Sequence, residues 1–241
     1  MRHIQLATIL TIALTGSAVS AQDPITTLPD TYKLQFENDW VKIVHVHLAP
    51  LVKLPSHTHP EGTMAFVYLN DAGRVVFSHD PGHGPGSIPR PAVKARGYRL
   101  SRAGIQEIHT VENTTNAASD YLRVEFKVPV SRNIRRRVAP PPLKTDNAVD
   151  VEETNEQTRI TRITIGAGKT IELTTTATEP ALLIATTDAQ LTVARGSSMD
   201  LSLKVGQEHW IETRQREAVT NTGKAAIELL RFDFLAKPAA K

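Results

Sequence analysis

His57-Thr-His59 stands just ahead of the apolar run 63–69. In extended chain, residues two apart point to the same face, so both imidazoles can reach one point. A third histidine, His109, follows Arg102-Ala-Gly-Ile-Gln-Glu-Ile and is itself followed by Asn113 in an H-x-x-x-N spacing. Other histidines are weaker candidates. His45 and His47 form a second H-x-H pair, within an alternating strand where both can face solvent, and His79, His83 and His209 read as loop or rim residues. Gly82, Gly84 and Gly86 make no phosphate loop, because no Lys-Ser or Lys-Thr follows them at the required spacing.

The elements that must position these histidines are β-strands. Short runs rich in Val, Ile, Thr and aromatic residues recur between turn signals, and no segment sustains a helical apolar period. The first half offers strands at 32–37, 40–48, 63–69, 74–79, 106–109 and 121–128. The second offers 158–165, 170–173, 181–186, 190–194, 200–204, 208–211 and 226–235. Between 80 and 95, four prolines and three glycines among residues 81–91 are expected to break any regular element. Many short strands at this spacing point to a sandwich or a jelly-roll barrel.

The halves repeat one another. Residues 113–126 lie over 221–234 without a gap, matching Asn, Thr, Ala-Ala, Leu, Arg and Phe, at an offset of 108. Upstream, 46–50 resembles 163–167 and 66–68 resembles 183–185, at an offset of 117. The longer loop at 80–95 absorbs the difference. Internal similarity of this kind means that one supersecondary plan is used twice.

On these motifs the sequence resembles the cupins, whose first motif carries H-x-H followed shortly by Glu and Gly and whose second ends in H-x-x-x-N. The resemblance covers about Trp40 to Val128 and extends through the repeat to the second half. It implies an all-β fold of two double-stranded β-helix (jelly-roll) barrels, with His57, His59 and His109 holding one divalent transition metal: iron, nickel, copper, manganese or zinc. The motif Glu is replaced by Thr63 or Met64, and Glu61 is a nearby substitute set off by Pro60. The ungapped repeat places Thr174 and Thr176 where His57 and His59 stand, and Glu217 where His109 stands. The second barrel is thus a degenerate copy without a metal site.

Residues 1–21 read as a signal peptide: a basic head, the apolar run Ile4 to Leu14, and small residues ending at Ala21. Barrels are expected at 30–130 and 158–236, joined by a linker at 131–157 that carries Arg132, Arg135, Arg136 and Arg137, three prolines, and then acids. The chain has no cysteine, so neither a disulfide nor a cysteine-linked lipid is available. A formal charge of +3 from 28 basic and 25 acidic residues is no nucleic-acid profile. The expectation is a periplasmic or secreted protein without a membrane anchor.

Two functions fit. One is a metal-dependent enzyme, with dioxygenase chemistry foremost, whose substrate enters beside Phe66, Tyr68, Phe77 and Tyr98. No general base stands out among Glu61, Glu107 and Tyr98. The other is a non-catalytic module binding a small molecule or carbohydrate. Pairing of exposed strands into a homo-oligomer is compatible with either.

Overall fold

The computed structural model describes residues 23–103, 106–128 and 135–238; the expected signal peptide lies outside them. A single helical turn, α1 (Pro24–Thr27), precedes the strands. The first half contains β1 (Tyr32–Glu37), β2 (Val41–Leu48), β3 (Lys53–His59), β4 (Gly62–Tyr68), β5 (Val75–His79), β6 (Ser87–Arg90), β7 (Tyr98–Ala103), β8 (Glu107–Asn113), β9 (Ser119–Phe126) and β10 (Arg135–Val138). The second contains β11 (Ala148–Thr154), β12 (Thr158–Ile165), β13 (Thr170–Thr174), β14 (Ala181–Ala185), β15 (Ala189–Arg195), β16 (Ser197–Leu203), β17 (Glu208–Ile211), β18 (Arg216–Asn221) and β19 (Ile227–Phe234).

Each half is a large sheet and a small sheet. The order is β1-β2-β9-β4-β7-β10 over β3-β8-β5-β6 in the first, and β11-β12-β19-β14-β17 over β13-β18-β15-β16 in the second. All pairings are antiparallel.

Strand alternation decides where the side chains go. On β9, Leu122, Val124 and Phe126 face the second half, while Tyr121 and Arg123 face the interior of the first barrel. On β4, Ala65 and Val67 face outward to the same inter-barrel core, and Met64 and Phe66 inward. That core joins the two large sheets through Ile160, Leu182, Leu230, Phe232 and Phe234. The molecule is therefore a four-layered stack, small sheet, large sheet, large sheet, small sheet.

The stretch 131–157 is not only a connection. Within it β10 pairs with β7 of the first half and β11 with β12 of the second, so each large sheet gains an edge strand. Of the charges expected to mark a linker, Arg136 is paired between these edges with Glu153 at 2.5 Å. The loop 80–95 likewise contains β6, with Pro89 opposite Val76. β6 is an edge strand, where a missing backbone N–H leaves no ladder partner unsatisfied.

Buried charge fastens the halves. Arg162 is fully buried between Glu152 (2.7 Å) and Glu228 (2.6 Å), and Arg96, from the turn before β7, reaches Glu228 at 2.5 Å. Thr186 completes the shell of Glu228 at 2.8 Å. Its carboxyl sits below the usual carboxylate range, because these partners outweigh the desolvation that opposes them.

Candidate metal centre

The three histidines meet on the inner face of the small sheet of the first half. His57 on β3 pairs directly with His109 on β8, which pairs in turn with His79 on β5; one row further, His59 pairs with Glu107. His57, His59 and His109 are all buried, and their ligand atoms lie within 4.8 Å of one another. Ring centroids are 4.8 to 5.0 Å apart.

A bulge shapes this row. β3 and β8 change register between Leu54 and His57, so Pro55 and Ser56 hold one more residue than the facing strand needs. The Pro55 carbonyl accepts a hydrogen bond from His57 Nδ1 at 2.8 Å. A carbonyl can only accept, so Nδ1 carries the proton and Nε2 presents its lone pair to the chamber. In the protein without metal, that lone pair accepts from the Tyr32 hydroxyl at 3.0 Å.

His109 makes no hydrogen bond at either ring nitrogen. A fully buried imidazole without partners is costly unless something absent from the chain occupies it. Burial, with His57, His79 and Arg90 nearby, holds its pKa down to about 3, and burial lowers that of His57 as well. Both are neutral near pH 7, the form that binds a metal. The residues therefore fit a divalent transition metal with three imidazole nitrogens.

The position of the missing motif Glu is settled by strand phase: Met64 lines the chamber, whereas Glu61 is exposed and contributes nothing to it. His79 and Glu107 are closer to the site than the sequence indicated. With His109 they form a second group of convergent ligand atoms, His79 Nε2 lying 3.9 Å from Glu107 Oε1. Nothing local in the sequence marks His79; it is placed by the β5–β8 register. Tyr98, expected beside the substrate, belongs instead to the inter-barrel core, since it alternates with Arg99, which faces inward. Phe66 and Phe77 do line the chamber. His45 and His47 lie outside it against Asp120, and His83 bonds the Gln106 carbonyl in a loop.

The second barrel has no bulge in the matching strand. Leu173 pairs with Glu217 and Thr175 bonds across to Gln215, so Leu173 and Thr175, not Thr174 and Thr176, replace His57 and His59. The extra residue on β3 is what an ungapped alignment misses. Glu217 does replace His109, and it takes His209 as a partner at 3.0 Å, so His209 is not a rim residue. Among the described residues the second barrel holds no group of three convergent metal ligands.

Asn113 and Asn221 explain the motif asparagine. Each bonds the carbonyl four residues on, Ala117 or Ala225, at 2.8 Å, together with the carbonyl of a neighbouring strand end. Its role is to pin the β8–β9 and β18–β19 turns, which is why it persists where the metal histidines do not.

No protein-family model matches the sequence, and no curated protein matches it. Solved structures do. The bacterial pirin YhhW from Escherichia coli, in complex with nickel(II), superposes with a TM-score of 0.60 at 11% identity, over 86% of this chain and 91% of that one. A variant of salicylate 1,2-dioxygenase from Pseudoaminobacter salicylatoxidans gives 0.53 at 11%, over 81% and 71%. A cupin 2 conserved barrel domain protein from Leptotrichia buccalis gives 0.51 at 10%, over 84% and 87%. At such identities the likeness concerns the fold. The chain has the cupin fold in its two-barrel form, with the histidines of the cupin motifs gathered in the first barrel.

Proposed function

We propose that the first barrel is a metal-dependent oxidoreductase of the dioxygenase type, acting on a small molecule in an exported protein. The observation that carries this reading is the convergence of three buried imidazoles, one of them without any hydrogen-bond partner in the chain. When bound, a redox-active ion would supply vacant coordination positions and electron transfer.

The chain's own residues do the rest. The Pro55 carbonyl fixes the His57 tautomer and aims Nε2 inward. Phe77 packs edge-on against His109 at 5.1 Å, holding the ring and excluding water from its face. Arg99 lies over the Phe66 ring at 4.1 Å and lines both the chamber and an outer basin. The chamber leaves about 20 Å³ free, the space of roughly one water, so a compact reacting group suits it. Export is read from residues 1–21, with cleavage near Ala21-Gln22.

Metal analysis of the purified protein tests the centre. A stoichiometric redox metal that is lost on His57→Ala with His59→Ala is the expected result; a normally folded, metal-free protein would overturn it. Oxygen uptake by the iron, nickel and copper forms, over phenolic and diketone substrates, tests the reaction. Stoichiometric metal with no uptake would favour a binding module, a reading helped by Met64 standing where the motif carries a carboxylate. Fractionation and N-terminal sequencing of the expressed full chain test export, with a mature start near Gln22 expected.

A further inference from the structure

The repeat supplies a control for one residue inside each barrel. Arg123 on β9 and Arg231 on β19 are equivalent, each followed two residues later by an acid, Glu125 or Asp233. Arg231 is fully engaged. Its Nε donates to Asp233 at 2.8 Å, and its Nη2 lies 2.6 Å from the same carboxylate and donates to the Thr174 carbonyl at 2.5 Å. Arg123 is more deeply buried, at 3% exposure, yet its Nε and Nη2 make no hydrogen bond, and Glu125 lies 3.2 Å from Nη2 without the geometry of one.

A buried guanidinium with idle donors is expensive, by several kcal/mol for a charge without adequate pairing. It is tolerated where a ligand supplies the missing acceptors. Arg123 lines the same chamber as His59 and His109, and so do Arg90 and Arg99, against one carboxylate, Glu107. Arg90 and Arg99 also form a wall of the outer basin of about 270 Å³, which Arg136 and Arg137 complete. Arg90 and Arg99 thus line both the chamber and the basin beside it, and within the chamber the Arg123 Nε and Nη2 donors make no hydrogen bond with the chain. In the second barrel the corresponding charges cancel internally, Arg231 with Asp233 and His209 with Glu217.

We propose that the first chamber binds a compact carboxylate, steered by Arg90 and Arg99 and held by the Nε and Nη2 donors of Arg123 beside the three imidazoles. Guanidinium meets carboxylate through two parallel hydrogen bonds, the geometry these two donors offer. The inference names the substrate class of the site proposed above and rests on that reading for its reaction, but not for the binding itself.

The test is titration calorimetry of the metal-free and metal-loaded full chain with formate, acetate and the neutral acetamide. Carboxylate binding that weakens at least about tenfold in Arg123→Gln, with acetamide bound far more weakly than acetate, is expected. Arg99→Gln should slow association and reduce its salt dependence, and it gives a second readout should Arg123→Gln fold poorly. Equal binding of acetate and acetamide, carboxylate binding unchanged in Arg123→Gln, or no carboxylate binding to either form would overturn the proposal. Metal content is measured separately. A protein that takes up no metal yet still binds acetate through Arg123 sinks the metal reading and leaves this one standing.

Discussion

At the same place in two barrels, His57 faces His109 and Leu173 faces Glu217. Around the first pair the polar groups are left open: His109 has no partner, and the Arg123 donors are idle. Around the second they are closed, with His209 on Glu217 and Arg231 on Asp233 and the Thr174 carbonyl. Both barrels keep the asparagine that pins their turns and the apolar face that joins the large sheets. The difference separates what the fold requires from what a ligand requires. The shared asparagine is satisfied in both barrels, whereas the shared arginine is satisfied only in the second and keeps idle donors in the first, beside histidines that the second lacks.

The largest effect should come from removing a ligand imidazole. His109→Ala should abolish stoichiometric metal, read by elemental analysis, while Glu217→Gln at the matching place should leave metal content unchanged. Loss of metal in both would erase the distinction between the chambers.

Next is Glu228→Ala, which leaves Arg96 and Arg162 without their shared carboxylate at the junction. Unfolding in urea should show a loss of about 1–3 kcal/mol, because Arg162 keeps Glu152 while both guanidinium groups lose hydrogen-bond acceptors at the buried junction. A loss under about 1 kcal/mol would mean that water reaches those guanidinium groups.

Acid should then discriminate between the barrels. With its folded pKa held near 3 and an unfolded value near 6.5, His109 binds fewer protons folded than unfolded between those limits. Its neutral burial is fully favourable above about pH 6.5, and metal-free protein should lose stability progressively as pH falls from there toward 3. His109→Leu should flatten that slope in denaturant melts taken across the window. An unchanged slope would place the sensitivity elsewhere.

The smallest expected change is at Tyr32. Its hydroxyl holds the His57 lone pair that a metal must take, and it would be left buried without that partner. Tyr32→Phe removes the competition and should tighten metal binding by about fivefold, equivalent to one ordinary hydrogen bond. Weaker binding in a competition titration would instead make the phenol a contributor to the bound state.

Much of this was legible in the chain. The repeat, the β class and His57, His59 and His109 follow from local spacing and from motifs that survive together. What escaped depends on register between distant strands. His79 and Glu107 reach the site through the β5–β8 and β3–β8 pairings, and no short-range pattern encodes either. The mismatch of Thr174 and Thr176 came from one residue, since a bulge shifts every later side chain by one place. Tyr98 lies on the inter-barrel side, and because two apolar environments flank the large sheet, nothing in the local sequence distinguishes that side from the chamber. β10 and β11 carry the charges typical of connections and flank the prolines at 140–142, and only their edge position makes them strands.

The apolar layer between the large sheets has a consequence for how the chain could be taken apart. Val41, Ile43, Leu122, Val124 and Phe126 are covered by the second half, as Phe232 and Phe234 are by the first. Cutting the connection near 139–147 would give each fragment a broad sticky face, of the kind that drives association in dilute solution. The histidine barrel is therefore not expected to fold on its own. The whole described chain should melt in one cooperative transition, the second barrel covering the back of the first.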